Sequence, residues 1–333
     1  MKGVQVEFTA EGIHLPEIGL WLDPAEAREA AWISHAHGDH ARGLHGCVFA
    51  TGRTLDFYRL RWPADPAVPQ TLCPVLFREP WEWQGARLTA FPASHIAGAA
   101  QLLVEYGGER LVYTGDIKLR PPLCGETTEV VPCDRLIIES TFGLPIYHFL
   151  DRETARERIV ACAREALSDG LSPVFVGYPL GRGQEIVHTL CSAGIPTSVH
   201  GSIARMIPGY EVAGYSFPGW ESYAPWATEG KALVVTPTFR SYLEASGKRI
   251  RIAYVSGWAA LHNARARSGA EELIPYSDHA DFAELVAIVE GSGARHVDVV
   301  HGYTEAFAAI LRSRGIDAYS RGGVEGEAAE AEG

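Results

Sequence analysis

The sequence predicts a mixed α/β protein, and three features point there. Short apolar runs broken by Gly and Pro crowd the first 145 residues, the pattern changes from Asp151 to helix, strand, Gly-rich turn and helix, and the chain closes on a helix, a strand and a helix. Its 333 residues fit one large domain or two closely joined ones, at roughly 100 to 200 residues per domain. A composition of 47% hydrophobic and 21% charged residues argues against disorder, collagen-like sequence and coiled coil.

Element by element, the runs at 12–22, 31–34, 87–93, 101–106 and 110–114 read as strands. Gly107 and Gly108 tolerate positive φ, so 101–116 should be a β-hairpin with Asp116 at its far end. A strand at 135–138 leads into Glu139. Helix 152–168, strand 173–176 and helix 183–193 then form a β-α unit, with later strands at 232–236 and 250–256. The end of the chain reads as helix 281–290, strand 296–300, helix 304–314 and a disordered acidic tail over 322–333 that holds Glu325, Glu327, Glu330 and Glu332.

The six cysteines form no CxxC pair, so reduced and mostly buried thiols are expected. The opening MKGVQVEF lacks the parts of a signal peptide, and no run approaches the roughly 18 apolar residues of a membrane span. A cytoplasmic location and no membrane partner follow as expectations. A formal charge of −12 disfavours polyanion binding by net charge, yet nucleic acid seated on metal ions needs only a local basic lining.

The chemistry concentrates in Ser34-His35-Ala36-His37-Gly38-Asp39-His40, which sets three imidazoles and a carboxylate within six positions after a short strand. Neutral imidazoles and carboxylates bind zinc at about 2.0 to 2.2 Å, and such density suits a transition metal better than a solvated polar loop. His35, His37, Asp39 and His40 match without departure the HxHxDH loop of the metallo-β-lactamase superfamily, which the chain resembles. Asp23 in GLWLDP, His95 in PASHIAG and Asp116 in YTGD stand where that superfamily places its further acidic residue, His and Asp.

The resemblance implies two divalent ions, zinc or manganese. His35, His37 and His95 would hold one, Asp39, His40 and a further ligand the second, and Asp116 would bridge them. Asp23 is expected to orient the ligand loop from behind rather than to ligate. Glu139 in ESTFG, His279 in YSDHADF and His301 in VVHG narrow the resemblance to the β-CASP nucleases, in which a second domain interrupts the metallo-β-lactamase fold. His301 would complete the second ion's shell. Glu139 would orient and raise the pKa of His279, which, with Asp39, makes up the catalytic set.

The implied fold is an αββα metallo-β-lactamase sandwich with an inserted β-CASP domain. Its parts would be 1–146 and 259–321 for the first domain, 147–258 for the insertion and 322–333 for the tail. The turn Pro179-Leu180-Gly181-Arg182-Gly183-Gln184-Glu185 resembles a β-CASP element, and Arg182 and Gln184 are candidate nucleic-acid contacts. Arg240, Lys248, Arg249, Arg251, Arg265 and Arg267 either line a strand-binding groove or form a solvated charged face.

ESTFGLP followed by Tyr147, the short insertion and the closing SDHADF and VVHG pair most resemble compact bacterial DNA-ligase-associated exonucleases. That resemblance implies DNA, single-stranded or end-bearing, as substrate, with a DNA ligase and a helicase as partners in repair. The alternative is a β-CASP nuclease of RNA processing, and behind it stands a non-catalytic scaffold or a small-substrate hydrolase.

Overall fold

The computed structural model describes residues 3–63 and 70–322, so the tail expected over 322–333 lies, from residue 323 on, outside the described residues. Contacts divide the chain into two compact units. The first combines Met1–Leu119, Glu126–Leu144 and Phe282–Gly333, and the second combines Arg120–Gly125 and Pro145–Asp281.

The first unit begins with a sheet whose strands lie side by side in chain order: β1 (Glu7–Thr9), β2 (Gly12–Leu15), β3 (Leu20–Leu22), β4 (Ala30–Trp32), β5 (Cys47–Thr51) and β6 (Thr71–Val75). The run expected as one strand over 12–22 is two. Ile18 N–H donates to Leu15 O at 3.2 Å, and Gly19 at φ 58° turns the chain so that β3 runs back along β2, pairing Leu20 with Leu15. The same unit continues with β7 (Trp81–Trp83), β8 (Ala86–Pro92), β9 (Ala100–Tyr106), β10 (Glu109–Tyr113) and β11 (Arg135–Ser140). The expected hairpin is β9 and β10, where Tyr106 faces Glu109 and Gly107 and Gly108 supply φ of 60° and 87°.

The second unit is a parallel sheet of β12 (Ser172–Val176), β13 (Thr197–Val199), β14 (Trp220–Ser222), β15 (Ala232–Val235), β16 (Ile250–Val255) and β17 (Glu272–Ile274) in the order β14-β13-β15-β12-β16-β17. Every residue of β12 is buried, as expected for a central parallel strand covered on both faces. Asp151 starts the helix Arg152–Ser168 by accepting the Thr154 N–H at 2.9 Å.

The chain returns to the first unit with helix Phe282–Ser292, β18 (His296–Gly302), helix Thr304–Ser313 and β19 (Ala318–Ser320). These strands complete a second sheet, β19-β18-β11-β10-β9-β8-β7. One core joins both sheets of this unit, with Leu15, Leu20 and Trp32 from the first packed among Leu88, Leu102 and Val104 from the second. Each such side chain contributes roughly 1.5 to 3 kcal/mol on full burial. Among the described residues no helix is long and apolar enough to cross a membrane.

The strand directions matter for function. Asp23 follows β3, the His35–His40 loop follows β4, His95 follows β8, Asp116 follows β10, and Glu139 and His301 are the penultimate residues of β11 and β18. Polar residues of one unit are thus delivered from the carboxyl ends of its strands.

Candidate metal centre

Two loops and a helix make the centre stiff. In the His35–His40 loop, Ala41 N–H donates to His37 O at 2.8 Å, winding the segment into one helical turn. Helix Gly52–Arg61 and the residue after it brace that turn, since Tyr58 Oη donates to Gly43 O at 2.6 Å and Trp62 Nε1 to Ala41 O at 2.7 Å. The loop bearing His95 is fastened at Gly98, whose carbonyl accepts from the Thr51 hydroxyl at 2.7 Å and the Thr54 hydroxyl at 3.0 Å. Gly115, at φ 55°, lets the chain pass the ligand loop: a Cβ there would lie 2.6 Å from Ser34 Oγ. The glycine of YTGD therefore has a steric reason.

His35, His37, His95 and Asp116 are buried and each offers a ligand atom, all lying within 4.8 Å of one another. His95 Nε2 is 2.9 Å from His37 Nδ1, and Asp116 Oδ2 is 3.5 Å from His35 Nε2 and 3.6 Å from His95 Nε2. A tetrahedral ion with bonds of about 2.0 to 2.2 Å needs donors roughly 3.3 to 3.6 Å apart, so the set fits a metal. On its other side, Asp116 Oδ2 is 3.5 Å from His40 Nε2, which is itself 3.6 Å from Asp39 Oδ2. The His301 ring centroid stands 5.4 Å from that of His40. Asp39 Oδ1 is buried and has no hydrogen-bond partner among the described residues, as a carboxylate reserved for a cation would be. Asp116 thus lies within reach of His35 and His95 and also of His40.

Asp23 stands behind this array. Its Oδ1 accepts Ser34 N–H at 2.7 Å, and its Oδ2 accepts the Ser34 hydroxyl at 2.5 Å and the Tyr113 hydroxyl at 2.8 Å while lying 2.8 Å from His40 Nδ1. Asp23, Ser94 and His301 adopt positive φ of 43°, 61° and 55°, conformations that cost non-glycine residues energy and cluster at functional sites. The same carboxyl, with His35 and His40, forms a further possible ion-holding group.

Charge is shared unevenly. Burial pulls the His40 imidazole down, but Asp116, Asp39 and the bond to Asp23 outweigh it and hold its pKa well above the ordinary value. Burial would raise Asp39, and His40 and His37 outweigh it, holding the carboxyl below its usual range. An excess of negative charge among closely set nitrogens is what a divalent ion would neutralise.

Glu139 is buried and accepts the Ile117 N–H at 2.8 Å and the Thr141 N–H at 3.3 Å. His279 belongs to the second unit, where its N–H donates to Ser277 Oγ at 3.1 Å and its carbonyl accepts from Arg120 at 3.1 Å. Arg182 and Gln184 are buried within the second unit. Arg182 donates to Val255 O at 3.2 Å and pairs with Asp278 at 3.5 Å, while Gln184 binds Gly181 N–H, Pro179 O and Ile203 O. These side chains fold the Gly-rich turn, and neither is exposed to a strand in solution. The basic stretch is engaged as well: Arg240 pairs with Glu244, Arg251 with Asp169, Lys248 donates to Pro225 O and Arg265 to Glu271 O.

The sequence reading missed Ser34 and Tyr113, which fix the Asp23 carboxyl. The signal for Tyr113 was its place at the buried end of β10, three residues before Asp116. A phenol buried there needs a partner, and the loss of water, then the nearby charge of Asp23, push its pKa well up.

No protein-family model matches the chain. It is 32% identical over 324 residues to a probable DNA ligase of Opitutus terrae, covering 95% of this chain and 31% of that protein. It is 27% identical over 213 residues to an RNase J-like protein of Methanocaldococcus jannaschii, covering 56% of this chain and 50% of that one. It is 37% identical over 226 residues to cleavage and polyadenylation specificity factor subunit 3 of Dictyostelium discoideum, covering 56% and 29%. The chain thus spans between 29% and 50% of the length of these relatives.

Proposed function

We propose that the chain is a metal-dependent nuclease of the β-CASP branch of the metallo-β-lactamase superfamily, with an αββα sandwich interrupted by an inserted domain that, expected over 147–258, extends to Asp281 with the second unit, and that it hydrolyses phosphodiester bonds in DNA. The observation that carries the reading is the convergence of His35, His37, His95, Asp116, His40 and Asp39 at separations suited to two ions. His35, His37 and His95 would hold one ion, Asp39, His40 and His301 the other, and Asp116 would face both. Zinc or manganese bound there supplies an acidified water and positive charge beside the scissile phosphate.

The chain's own residues do the rest. Asp23 and Tyr113 fix the His40 ring so that Nε2 points into the cluster. In the proposed mechanism Glu139 orients His279, and His279 protonates the departing oxygen.

DNA is favoured over RNA because similarity to the probable DNA ligase runs through 95% of this chain, whereas the RNase J-like match covers 56%. A segment like this chain, joined within a protein named as a probable DNA ligase, supports work beside a ligase, and the same reading takes the chain as a repair exonuclease with a helicase as further partner. The RNA-processing reading rests on the other two relatives. Cleavage of end-labelled single-stranded DNA and RNA with added manganese or zinc, with Asp39→Ala as control, tests the proposal. Stepwise DNA loss absent in the variant is expected, RNA cleavage alone would promote the alternative, and no cleavage of either would return the scaffold.

A further inference from the structure

A cavity of about 610 Å³ opens within the first unit against one flank of the metal cluster. Its lining includes Asp39, His40 and His301 of the cluster together with Phe8, Thr9 and Ala10 of the β1–β2 turn. Its apolar lining includes Ile13, Leu22 and Val300, and its charged lining sets Arg42 and Arg321 against the carboxylates of Asp23 and Asp39. The two arginines are held in place. The Arg42 Nε–H donates to Gly38 O at 3.2 Å, inside the ligand loop, and the Arg321 Nε–H donates to buried Asp298 at 2.5 Å. That second bond sets the Arg321 guanidinium over the Phe8 ring, 5.0 Å from its centroid, with Tyr319 on another side at 5.1 Å.

From this geometry we infer that the cavity binds one nucleotide of the substrate strand, next to the phosphate being cut. The inference rests on the nuclease reading for its adjacency to the reaction, while the cavity itself is argued from its lining. A pocket of this size holds a single small ligand. Apolar lining beside a Phe ring and a guanidinium plane suits a base, which stacks on either surface regardless of sequence. Arg42 suits the attached phosphate, because a guanidinium offers paired donors to its oxygens. A small ester would fill little of the space, and an apolar ligand would match the aliphatic lining but not its charged groups. The cavity therefore supplies strand binding within the first unit.

Ala10 is exposed on the turn and Ala10→Trp places an indole in the mouth without disturbing the core. Binding of dAMP is measured by calorimetry for the wild type, Ala10→Trp and Phe8→Ala, with inorganic phosphate as a second probe. Hydrolysis of an oligonucleotide and of bis(4-nitrophenyl) phosphate follows on the same preparations with manganese. Both variants should raise the dAMP Kd and the oligonucleotide KM by about tenfold or more. Phosphate binding and turnover of the small diester should stay within about twofold, since neither needs a base subsite. Equal dAMP affinity in the wild type and Ala10→Trp, or no dAMP binding by the wild type at millimolar concentration, overturns the inference. Wild-type binding of dAMP that Ala10→Trp abolishes, without cleavage of any nucleic acid, upholds the cavity assignment and sinks the nuclease reading alone.

Discussion

The Asp23 carboxylate lies 2.8 Å from Nδ1 of His40, and this contact decides which nitrogen of His40 faces Asp116. With Nδ1 turned to the carboxylate, Nε2 is the atom directed at Asp39 and Asp116. Partners of this kind fix the ring and its tautomer, and their loss typically costs about 10- to 100-fold in metal affinity. Asp23→Ala should therefore weaken metal binding by about that factor with the far-UV circular dichroism unchanged. Asp23→Asn, which tolerates the same positive φ, should fall between the two. Competition titration against a chromophoric chelator reads the affinity, and an Asp23→Ala protein that binds metal like the wild type would remove Asp23 from this role.

Chelation should act on stability as well as activity. If the clustered donors bind ions only in the folded chain, metal at 100 times its Kd adds about 2.7 kcal/mol to folding, and treatment with a chelator should lower the melting temperature and abolish hydrolysis. Restoring manganese or zinc should recover both. His35→Ala should lose the metal-dependent part of the thermal shift. His279→Ala should keep it and only slow turnover. A melting curve indifferent to chelator in the wild type would speak against a metal centre.

Gly302 has a steric role that its motif conceals. At φ 70°, a Cβ there would sit 2.4 Å from Ser140 O and 2.5 Å from Thr141 Cα, where β11 and β18 meet at a register shift. Both contacts are backbone, so neither can swing away. Gly302→Ala should destabilise the protein by more than about 1 kcal/mol and disturb His301 beside it. Gly315→Ala is the control, since its φ of 82° is equally left-handed but nothing lies within 4 Å of the added atom. Urea midpoints of the two variants separate the clash from the backbone cost. Equal losses would assign the whole effect to φ.

Much of this was legible because the signals were local. The β9–β10 hairpin follows from Gly107 and Gly108, and the helix over 152–168 from Asp151 and the spacing of Ala155, Ile159, Ala163 and Ala166. The convergence of His35, His37, His95 and Asp116 was foreseen by resemblance rather than by spacing. What escaped the sequence depends on long-range packing. Trp21 and Trp32 look alike in apolar runs, yet only Trp32 is wholly buried between the sheets. Arg182 and Gln184 look like ligands for a phosphate in a Gly-rich turn, and only the fold reveals the internal acceptors that occupy them. The cavity beside His301 joins residues as distant as Phe8 and Arg321, which no window of sequence contains.

Cys47 and Cys73 lie on neighbouring strands β5 and β6 with sulfurs 3.4 Å apart. Burial, then the contact with Cys73, pushes the Cys47 thiol up to about 12. The thiolate is the reactive form, so Cys47 should remain protonated at pH 8 and react with iodoacetamide far more slowly than in urea-unfolded protein. Raising the pH towards 10 should leave it slow in the native state. Mass spectrometry of alkylated peptides checks the point, and rapid native labelling of Cys47 at pH 8 would contradict it.

Asp298 links the core of the second sheet to the cavity wall. It is wholly buried in β18, accepts from Arg135 Nε at 2.7 Å and Arg321 Nε at 2.5 Å, and lies 3.1 Å from His296 Nε2. Asp298→Asn keeps the shape but removes the charge and can turn an amide donor towards a guanidinium. Breaking a buried pair costs about 3 to 5 kcal/mol; because Arg321 and His296 are partly exposed, a loss nearer about 2 to 3 kcal/mol is expected from the urea midpoint. The variant should also free the Arg321 guanidinium from its place over Phe8, so dAMP affinity should fall even where the protein remains folded. A stable Asp298→Asn protein with unchanged dAMP binding would show that Arg321 needs no anchor, and would leave Phe8 and Arg42 to form the subsite alone.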